Sequence, residues 1–321
     1  MERDTFWTRV FFRVMLGYIA SRVLQLLVTL LVITVLVFAM LRLIPGDPAM
    51  VIAGTEATPE LVARIRESLG LERPLAVQLA RYLGDVLTGD LGRSIRTGAP
   101  VTAEMYPRFV ATLQLTLASL LVAVLGGTLV GVAAALHRGR LADTAILIGS
   151  LAGTSAPSFW VGLVLMIYIG FQANLLPIAG YDSALHLVLP ALTVAVGGMP
   201  MIIRLVRAAL METLEEDYVR TARAKGLRER AVVMKHALRN ALVPVVTVVG
   251  LELGRLLGGV VVVESVFAWP GLGRMLLEAI QARDFPVVQG SVLLFSVFLI
   301  LTNFAIDLCY GVIDPRIRHA R

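Results

Sequence analysis

Three ionisable side chains lie inside strongly apolar stretches of this sequence, where a charge is costly and is commonly tied to function. Glu252 and Arg255 are three residues apart, so a helix would place them on one face, where they can pair. Asp307 lies near the end of the last apolar stretch, and arginines of the tail can partner it. Pairing lowers the cost of burial, which favours a structural ion pair, and ion coupling during transport is the alternative.

A second group of candidate residues lies in a charged stretch between two apolar runs. It begins with three acids, Glu215 to Asp217, and carries basic residues near its end, an order that suits a helix dipole. Its small residues would let a short helix enter a groove on a partner, although on charge pattern alone a solvated loop helix is the simpler interpretation. The candidate contact residues are Tyr218, Arg220, Thr221, Ala222, Arg223, Ala224, Lys225, Gly226 and Leu227.

Several kinds of chemistry are excluded by residues that the sequence lacks. A P-loop ends in Gly-Lys-Ser/Thr, but the only lysines are Lys225 and Lys235, and neither follows a glycine. The sequence has no His-Glu-x-x-His, and its four histidines have no ligand spacing, so an intramembrane metalloenzyme is a weak alternative. We therefore expect no catalytic residue, no metal site and no cofactor in this chain.

The elements that must position these residues are apolar helices. Hydrophobic residues make up 57% of the chain, and six runs are long enough to span a bilayer. The net charge of +6 comes largely from basic residues between these runs, where they contact anionic lipid, so nucleic acid is not an expected partner. The sequence predicts an all-α membrane protein with six transmembrane helices. The runs are 18–41, 109–136, 143–171, 185–210, 240–263 and 286–311.

Basic residues in the short loops orient the predicted helices, because cytoplasmic loops carry an excess of lysine and arginine. The tail holds Arg316, Arg318 and Arg321, whereas residues 172–184 hold neither lysine nor arginine. Both termini are therefore expected in the cytoplasm. The first run is too long for the core of a signal peptide, so we expect a retained helix.

Residues 42–108, here called the outer segment, are the one sizeable piece outside the predicted membrane core. Thr58 as N-cap, Pro59 at the first helical position and Gly70 as the stop predict an amphipathic helix. A second helix is predicted around residues 75–87. The segment is longer than a connection needs, which favours a docking surface over a spacer.

The charged stretch resembles the EAA loop of ABC-importer permeases, the element that sits in a cleft of the ATP-binding subunit. The general pattern is Glu-Ala-Ala, three residues, Gly, nine residues, then Ile-x-Leu-Pro. Aligned on Gly226, this chain has Arg220 at the Glu and Arg239 at the Pro, so it departs from that pattern. It is similar instead to the peptide-permease branch, Tyr-x-Arg-Thr-Ala-Arg-Ala-Lys-Gly followed by His-x-Leu-Arg-Asn-Ala, at residues 218–226 and 236–241.

Further matches to this family follow in the same order along the chain. Residues 44–48 look like its Pro-Gly-Asp-Pro element, and residues 89–94 look like its Gly-Asp-Leu-Gly-x-Ser. Residues 269–289 resemble the outer loop before its last span, and residues 310–318 resemble its C-terminus. The resemblance suggests candidate residues for docking of a substrate-binding protein. They are Asp47, Asp90, Trp269, Arg274, Arg283 and Asp284.

This resemblance implies the transmembrane architecture of a type I ABC importer in a bacterial or archaeal cytoplasmic membrane. Its implied partners are a second homologous permease, ATPase subunits that bind ATP and Mg, and a substrate-binding protein. Dipeptides, oligopeptides, glutathione and nickel complexes stay open as cargo, and an ion-coupled secondary transporter is the alternative. The implied domains are an N-terminal arm (1–17), a first helix (18–41), the outer segment, a five-helix core (109–311) with a coupling loop (211–239), and a tail (312–321).

Overall fold

All regular secondary structure is helical in residues 21–39, 48–54 and 58–313, the part of the chain that the computed structural model describes. The N-terminal arm, Asp47 and the tail arginines lie outside these residues. The helices are α1 (Ser21–Ala39), α2 (Pro48–Ala53), α3 (Pro59–Leu69), α4 (Leu75–Leu87), α5 (Val101–Leu136), α6 (Leu141–Ser155), α7 (Ser158–Gln172), α8 (Val188–Leu214), α9 (Asp217–Ala224), α10 (Glu229–Ala241), α11 (Val243–Val266), α12 (Leu272–Gln281) and α13 (Phe285–Ile313).

Four stretches of helix are long and apolar enough to cross a membrane within the described residues. Two bent pairs, α6 with α7 and α10 with the first part of α11, raise the number to six if each pair forms one span. The structure therefore confirms an all-helical membrane protein with four to six spans. The four continuous stretches are Ser21–Ala39, Val101–Leu136, Ala184–Leu214 and Phe285–Phe304.

The third predicted span is broken, whereas the sequence predicts one continuous run. Helices α6 and α7 meet at an angle of 109°. Between them, Ala156 is extended, with φ −76° and ψ 127°, because the ring of Pro157 disfavours helical geometry in the residue before it. The fifth span is also bent, by 41°, where α10 meets α11.

The two helices predicted in the outer segment are present with the expected ends. Thr58 caps α3, its hydroxyl accepting a hydrogen bond from the backbone N–H of Leu61 at 3.3 Å. Gly70 ends the helix in the left-handed conformation, with φ 65°, as a C-terminal glycine does. Helix α4 follows over residues 75–87 and buries none of its side chains.

The chain divides into two compact units, Met1–Tyr106 with Leu276–Phe304, and Pro107–Met275 with Ala305–Arg321. In the second unit, helices α5 and α8 pack closely, because glycines of α5 let the two backbones approach. A Cβ at Gly131 would lie 2.8 Å from the Cβ of Val206. A larger residue there would therefore push the two helices apart.

Candidate functional site

Helix α9 occupies the stretch that resembles the EAA loop. It begins after the extended residue Glu216 and ends at Ala224, with Lys225 as the C-cap. Gly226 follows with φ 76°, a conformation that residues with a side chain rarely adopt. The sequence thus predicted both the helix and its glycine stop, because both depend on local signals.

The two faces of α9 have different environments. Val219 and Ala222 are buried, and Ala222 is 7% exposed. Both belong to an apolar cluster that includes Leu210 of α8 and Val233 of α10. The remaining eight candidate contact residues are exposed: Tyr218, Arg220, Thr221, Arg223, Ala224, Lys225, Gly226 and Leu227. Ala222 therefore seats the helix on its own chain, which revises its predicted place against a partner.

Polar contacts hold α9 to its own chain at both ends. Near its start, the hydroxyl of Tyr218 accepts a hydrogen bond from the Asn240 side-chain amide of α10 at 2.7 Å. Near its end, Arg223 forms a two-pronged ion pair with Glu229, with N–O distances of 2.7 and 3.1 Å. The same arginine donates to the carbonyl oxygen of Leu214 at 3.3 Å. Side-chain contacts therefore tie α9 to α8 and α10.

Glu252 and Arg255 form the predicted ion pair on α11, with 2.8 Å between Arg255 Nη1 and Glu252 Oε1. Their environments are unequal, because the Glu252 side chain is 3% exposed and the Arg255 side chain is 63% exposed. Both line a cavity of about 130 Å³. Asp307 lies on α13, and its side chain is outside the described part of the structure.

Two of the candidate docking residues are buried in the chain. Trp269 is 2% exposed, and its indole N–H donates to the carbonyl oxygen of Ala111 at 2.9 Å. Asp284 is 3% exposed and accepts hydrogen bonds from the Ser94 hydroxyl and from the backbone N–H of Ile95. The structure gives both residues a role in holding loops, so neither side chain is accessible to a docking protein.

The other docking candidates are closer to the surface. Asp90 is exposed, and its carboxylate accepts the backbone N–H of Gly92 at 2.9 Å in a local turn. Arg283 is exposed and has a positive φ of 54°. Arg274 is half-buried, at the start of α12. Asp47 lies outside the described residues.

Sequence reasoning missed one interior ion pair, which joins α6 to α8. Asp143 accepts two hydrogen bonds from Arg207, at 2.7 and 2.8 Å, and a third from the backbone N–H of Gly139 at 3.0 Å. The aspartate is buried. The two partners are 64 residues apart, so no local spacing in the sequence could have revealed the pair.

The fold is that of the transmembrane subunit of ABC importers of known structure. The structure resembles two crystal forms of the MetNI methionine ABC transporter in inward-facing conformations. The first has a TM-score of 0.54 at 23% identity and covers 66% of this chain and 97% of the other. The second has a TM-score of 0.52 at 24% identity and covers 64% and 93%.

The chain belongs to the family of binding-protein-dependent transport system inner membrane components. The model of that family matches residues 127–319, and the model of its N-terminal region matches residues 15–116. The chain is 47% identical over 305 residues to the glutathione transport system permease protein GsiC of Salmonella paratyphi A. It is 44% identical to GsiC of the Escherichia coli strain K12. Each alignment covers 95% of this chain and all of the relative.

This membership makes the chain a multi-pass inner-membrane permease subunit of an ABC importer, a non-catalytic component of its transporter. It also replaces the alternative of an ion-coupled secondary transporter. Such transporters typically have a pair of broken helices in matched halves, and the sequence alone shows no such pair. The 109° bend between α6 and α7 shows that a break is present, so the assignment depends on the family instead.

Proposed function

We propose that this chain forms half of the translocation pathway of a peptide importer and is coupled to a separate ATPase through α9. The observation that carries this proposal is the asymmetry of α9. One face is fixed to α8 and α10 by Val219, Ala222 and two polar contacts, while the other face is exposed and carries small and basic residues. A helix built in this way can seat in a groove of a partner and pass its movement to the spans.

A separate ATPase supplies the energy in this proposal. The sequence has no Gly-Lys-Ser/Thr, so ATP and Mg bind to the partner subunits. Lys225 and Arg220 offer positive charge on the exposed face, although Arg220 lies 3.4 Å from Asp217, and Arg223 is held by Glu229. We assign the contact with the ATPase to Tyr218, Arg220, Thr221, Ala224, Lys225 and Leu227.

Glutathione is the peptide that we propose as cargo. The support for this cargo is the 47% identity to glutathione permeases over nearly the whole of both chains. Other short peptides are the alternative, because the sequence resembles the wider peptide-permease branch. A substrate-binding protein delivers the cargo and docks on the outer segment near Asp90, and Arg274 and Arg283 are further candidate contacts.

A second, related permease completes the pathway. Arg255 supports this step, because its side chain is 63% exposed on an apolar helix of the isolated chain. Exposure of an arginine to lipid is unfavourable, so this surface belongs against another protein or a water-filled path.

The test is to express the chain with its partner permease, ATPases and binding protein, and to measure ATPase co-purification and uptake of labelled glutathione. Arg220→Glu reverses a charge on the exposed face of α9. We expect this variant to reach the membrane at normal levels but to lose most of the co-purifying ATPase and most of the uptake. Arg64→Glu, the same change at an exposed residue of the outer segment, is the control and should retain the ATPase.

Full ATPase content and uptake in Arg220→Glu, together with the same result for a second exposed change, Lys225→Glu, would contradict the coupling role. Uptake of dipeptides without uptake of glutathione by the unaltered complex would contradict the cargo and leave the coupling role intact.

A further inference from the structure

The cavity beside Glu252 and Arg255 is a candidate binding site within the second unit. It lies among α6, α7, α8 and α11, and its volume is about 130 Å³. One water occupies roughly 30 Å³ in the liquid, so the cavity has room for a small polar group. Its uncharged wall is made mainly of small side chains and of two hydroxyl groups. Lining residues include Gly153, Ser158, Thr193 and Gly198.

Glu252 brings an unpaired acceptor to this cavity. Its Oε1 accepts from Arg255, but its Oε2 is buried and has no hydrogen-bond partner among the described residues. A buried charged oxygen without a partner is costly, and native structures rarely keep one without a reason. Gly198 leaves this oxygen uncrowded, since an added Cβ there would lie 3.1 Å from it. The oxygen is therefore available to a donor that enters the cavity.

Arg255 brings donors to the same place. Its side chain is largely exposed, and Glu252 is the one acceptor that it contacts in the described part of the chain. A guanidinium carries five N–H donors and pairs well with a carboxylate. The cavity therefore offers an acceptor for a cation and, one helical turn away, donors for an anion.

We propose that this cavity binds the α-amino-acid head group of the cargo during passage. Glu252 Oε2 accepts from the ammonium, and the outer N–H groups of Arg255 donate to the carboxylate. This inference rests on the proposed function, because it assumes that peptides pass along this surface. It deepens that function by defining which peptides fit.

The closeness of the two charges selects the ligand. Glu252 and Arg255 are hydrogen-bonded to each other, so the ligand must present its ammonium and carboxylate side by side. Both groups are attached to one carbon in an α-amino acid and in the γ-linked glutamyl end of glutathione. In an ordinary dipeptide they lie at opposite ends of the molecule. The site therefore favours γ-glutamyl peptides over α-linked ones.

The first experiment measures uptake by the complete complex in proteoliposomes. Each variant is compared with the unaltered complex for the same cargo, so that the selectivity of the binding protein cancels. The cargoes are glutathione and N-acetylglutathione, which lacks the ammonium. Glu252→Gln should reduce glutathione uptake about tenfold, which corresponds to the loss of one charge-assisted hydrogen bond. For N-acetylglutathione, the ratio of uptake by the variant to uptake by the unaltered complex should stay near one. Asp182→Asn, the same carboxylate-to-amide change at an exposed loop residue, is the control and should change neither ratio.

An equal loss for both cargoes in Glu252→Gln would show a structural role and overturn the proposal. Arg255→Gln extends the test to the other charge. It should reduce uptake of glutathione and N-acetylglutathione alike, since both keep the carboxylate, and spare an analogue whose glutamyl carboxylate is an amide. Equal loss of the amide analogue would also overturn the proposal.

A second experiment detects binding without transport. Ser158→Cys, or Ala156→Cys, places a thiol at the cavity in a chain whose single cysteine, Cys309, is replaced by serine. S-methylglutathione should slow labelling of this thiol in the purified complex without the binding protein, and N-acetyl-S-methylglutathione should not. Glu252→Gln should abolish the protection. Absence of protection with Glu252 intact would overturn the head-group site. Protection in a complex that takes up no glutathione would support the site while contradicting the proposed cargo.

Discussion

The carboxylate of Glu264 accepts a hydrogen bond from the hydroxyl of Thr112 at 2.5 Å, although 152 residues separate the two along the chain. The same hydroxyl accepts the backbone N–H of Leu272 at 2.8 Å. The other oxygen of Glu264 accepts the N–H groups of Gly273 and Arg274 at 2.8 and 3.0 Å. Glu264 is fully buried, so it caps the start of α12 and fixes the preceding loop against α5.

Thr112→Val tests this contact, because it removes the hydroxyl and keeps the shape of the side chain. It leaves one oxygen of Glu264 and the N–H of Leu272 without their partner in a buried place. We expect a loss of about 1–3 kcal/mol in the free energy of unfolding. The measurement is the thermal stability of the purified complex in detergent.

Thr116→Val is the matched control for this prediction, on the same helix and equally buried. Among the described residues, its hydroxyl donates to one acceptor, the carbonyl oxygen of Thr112 in the preceding turn, at 2.8 Å. The control should change stability much less than Thr112→Val. Equal effects of the two substitutions would mean that the Glu264 contact contributes nothing of its own.

A second prediction concerns Asp284, which holds the loop after Ser94 in the first unit. Asp284→Asn removes the charge and replaces one acceptor oxygen with a donor, facing the N–H groups of Ile95 and Arg96. We expect the loop to open more often and trypsin to cut after the exposed Arg96 roughly tenfold faster, in proportion to a loss of about 1.4 kcal/mol.

Asp90→Asn is the control for the trypsin experiment. Asp90 is exposed and supports one local N–H, that of Gly92. The cleavage rate should stay near that of the unaltered chain. An unchanged rate in Asp284→Asn would show that the buried carboxylate does not limit the opening of the loop.

Features that depend on neighbouring residues could be predicted from the sequence. Thr58 and Gly70 mark the ends of α3, and Gly226 ends the region of α9, because capping and positive φ are local properties. The Glu252–Arg255 pair could be predicted for the same reason, because one turn of helix brings the two residues together.

Features that depend on distant residues could not be predicted in this way. From the sequence, Trp269 is predicted to be an exposed loop residue. In the structure its indole N–H donates to the carbonyl oxygen of Ala111, which is 158 residues away. Ala222 reads as one of several small residues on α9, because only the packing of α8 and α10 distinguishes its buried face. Periodicity also missed the break between α6 and α7, because both halves are apolar, although the local residue Pro157 marks the place.

A third prediction concerns orientation in the membrane, which follows from the arginine bias of the short loops. Reporter fusions at residues 90, 178 and 275 should report the outside, and fusions at 140, 225 and 318 should report the cytoplasm. The fusion at 178 is the most informative, because the loop at residues 172–184 has no basic residue. A cytoplasmic signal there would contradict the six-span arrangement.

The last prediction compares one substitution on the two faces of α9. Ala222→Leu adds volume against Val219, Leu210 and the residues of α10 that belong to the same buried cluster. Overpacking of this kind typically costs about 1–3 kcal/mol. We expect lower thermal stability of the isolated permease pair, before any ATPase is added.

Ala224→Leu makes the same change two residues away, on the exposed face. The isolated permease pair should keep its stability, because the new side chain meets solvent. In the complete complex, the larger side chain must displace groups of the ATPase, so we expect about tenfold weaker ATPase binding and a matching loss of uptake. The measurements are thermal stability without the ATPase and ATPase co-purification with it. Normal ATPase binding by Ala224→Leu would show that this face does not enter the partner, whereas unchanged stability of Ala222→Leu would show that α9 is not seated through Ala222.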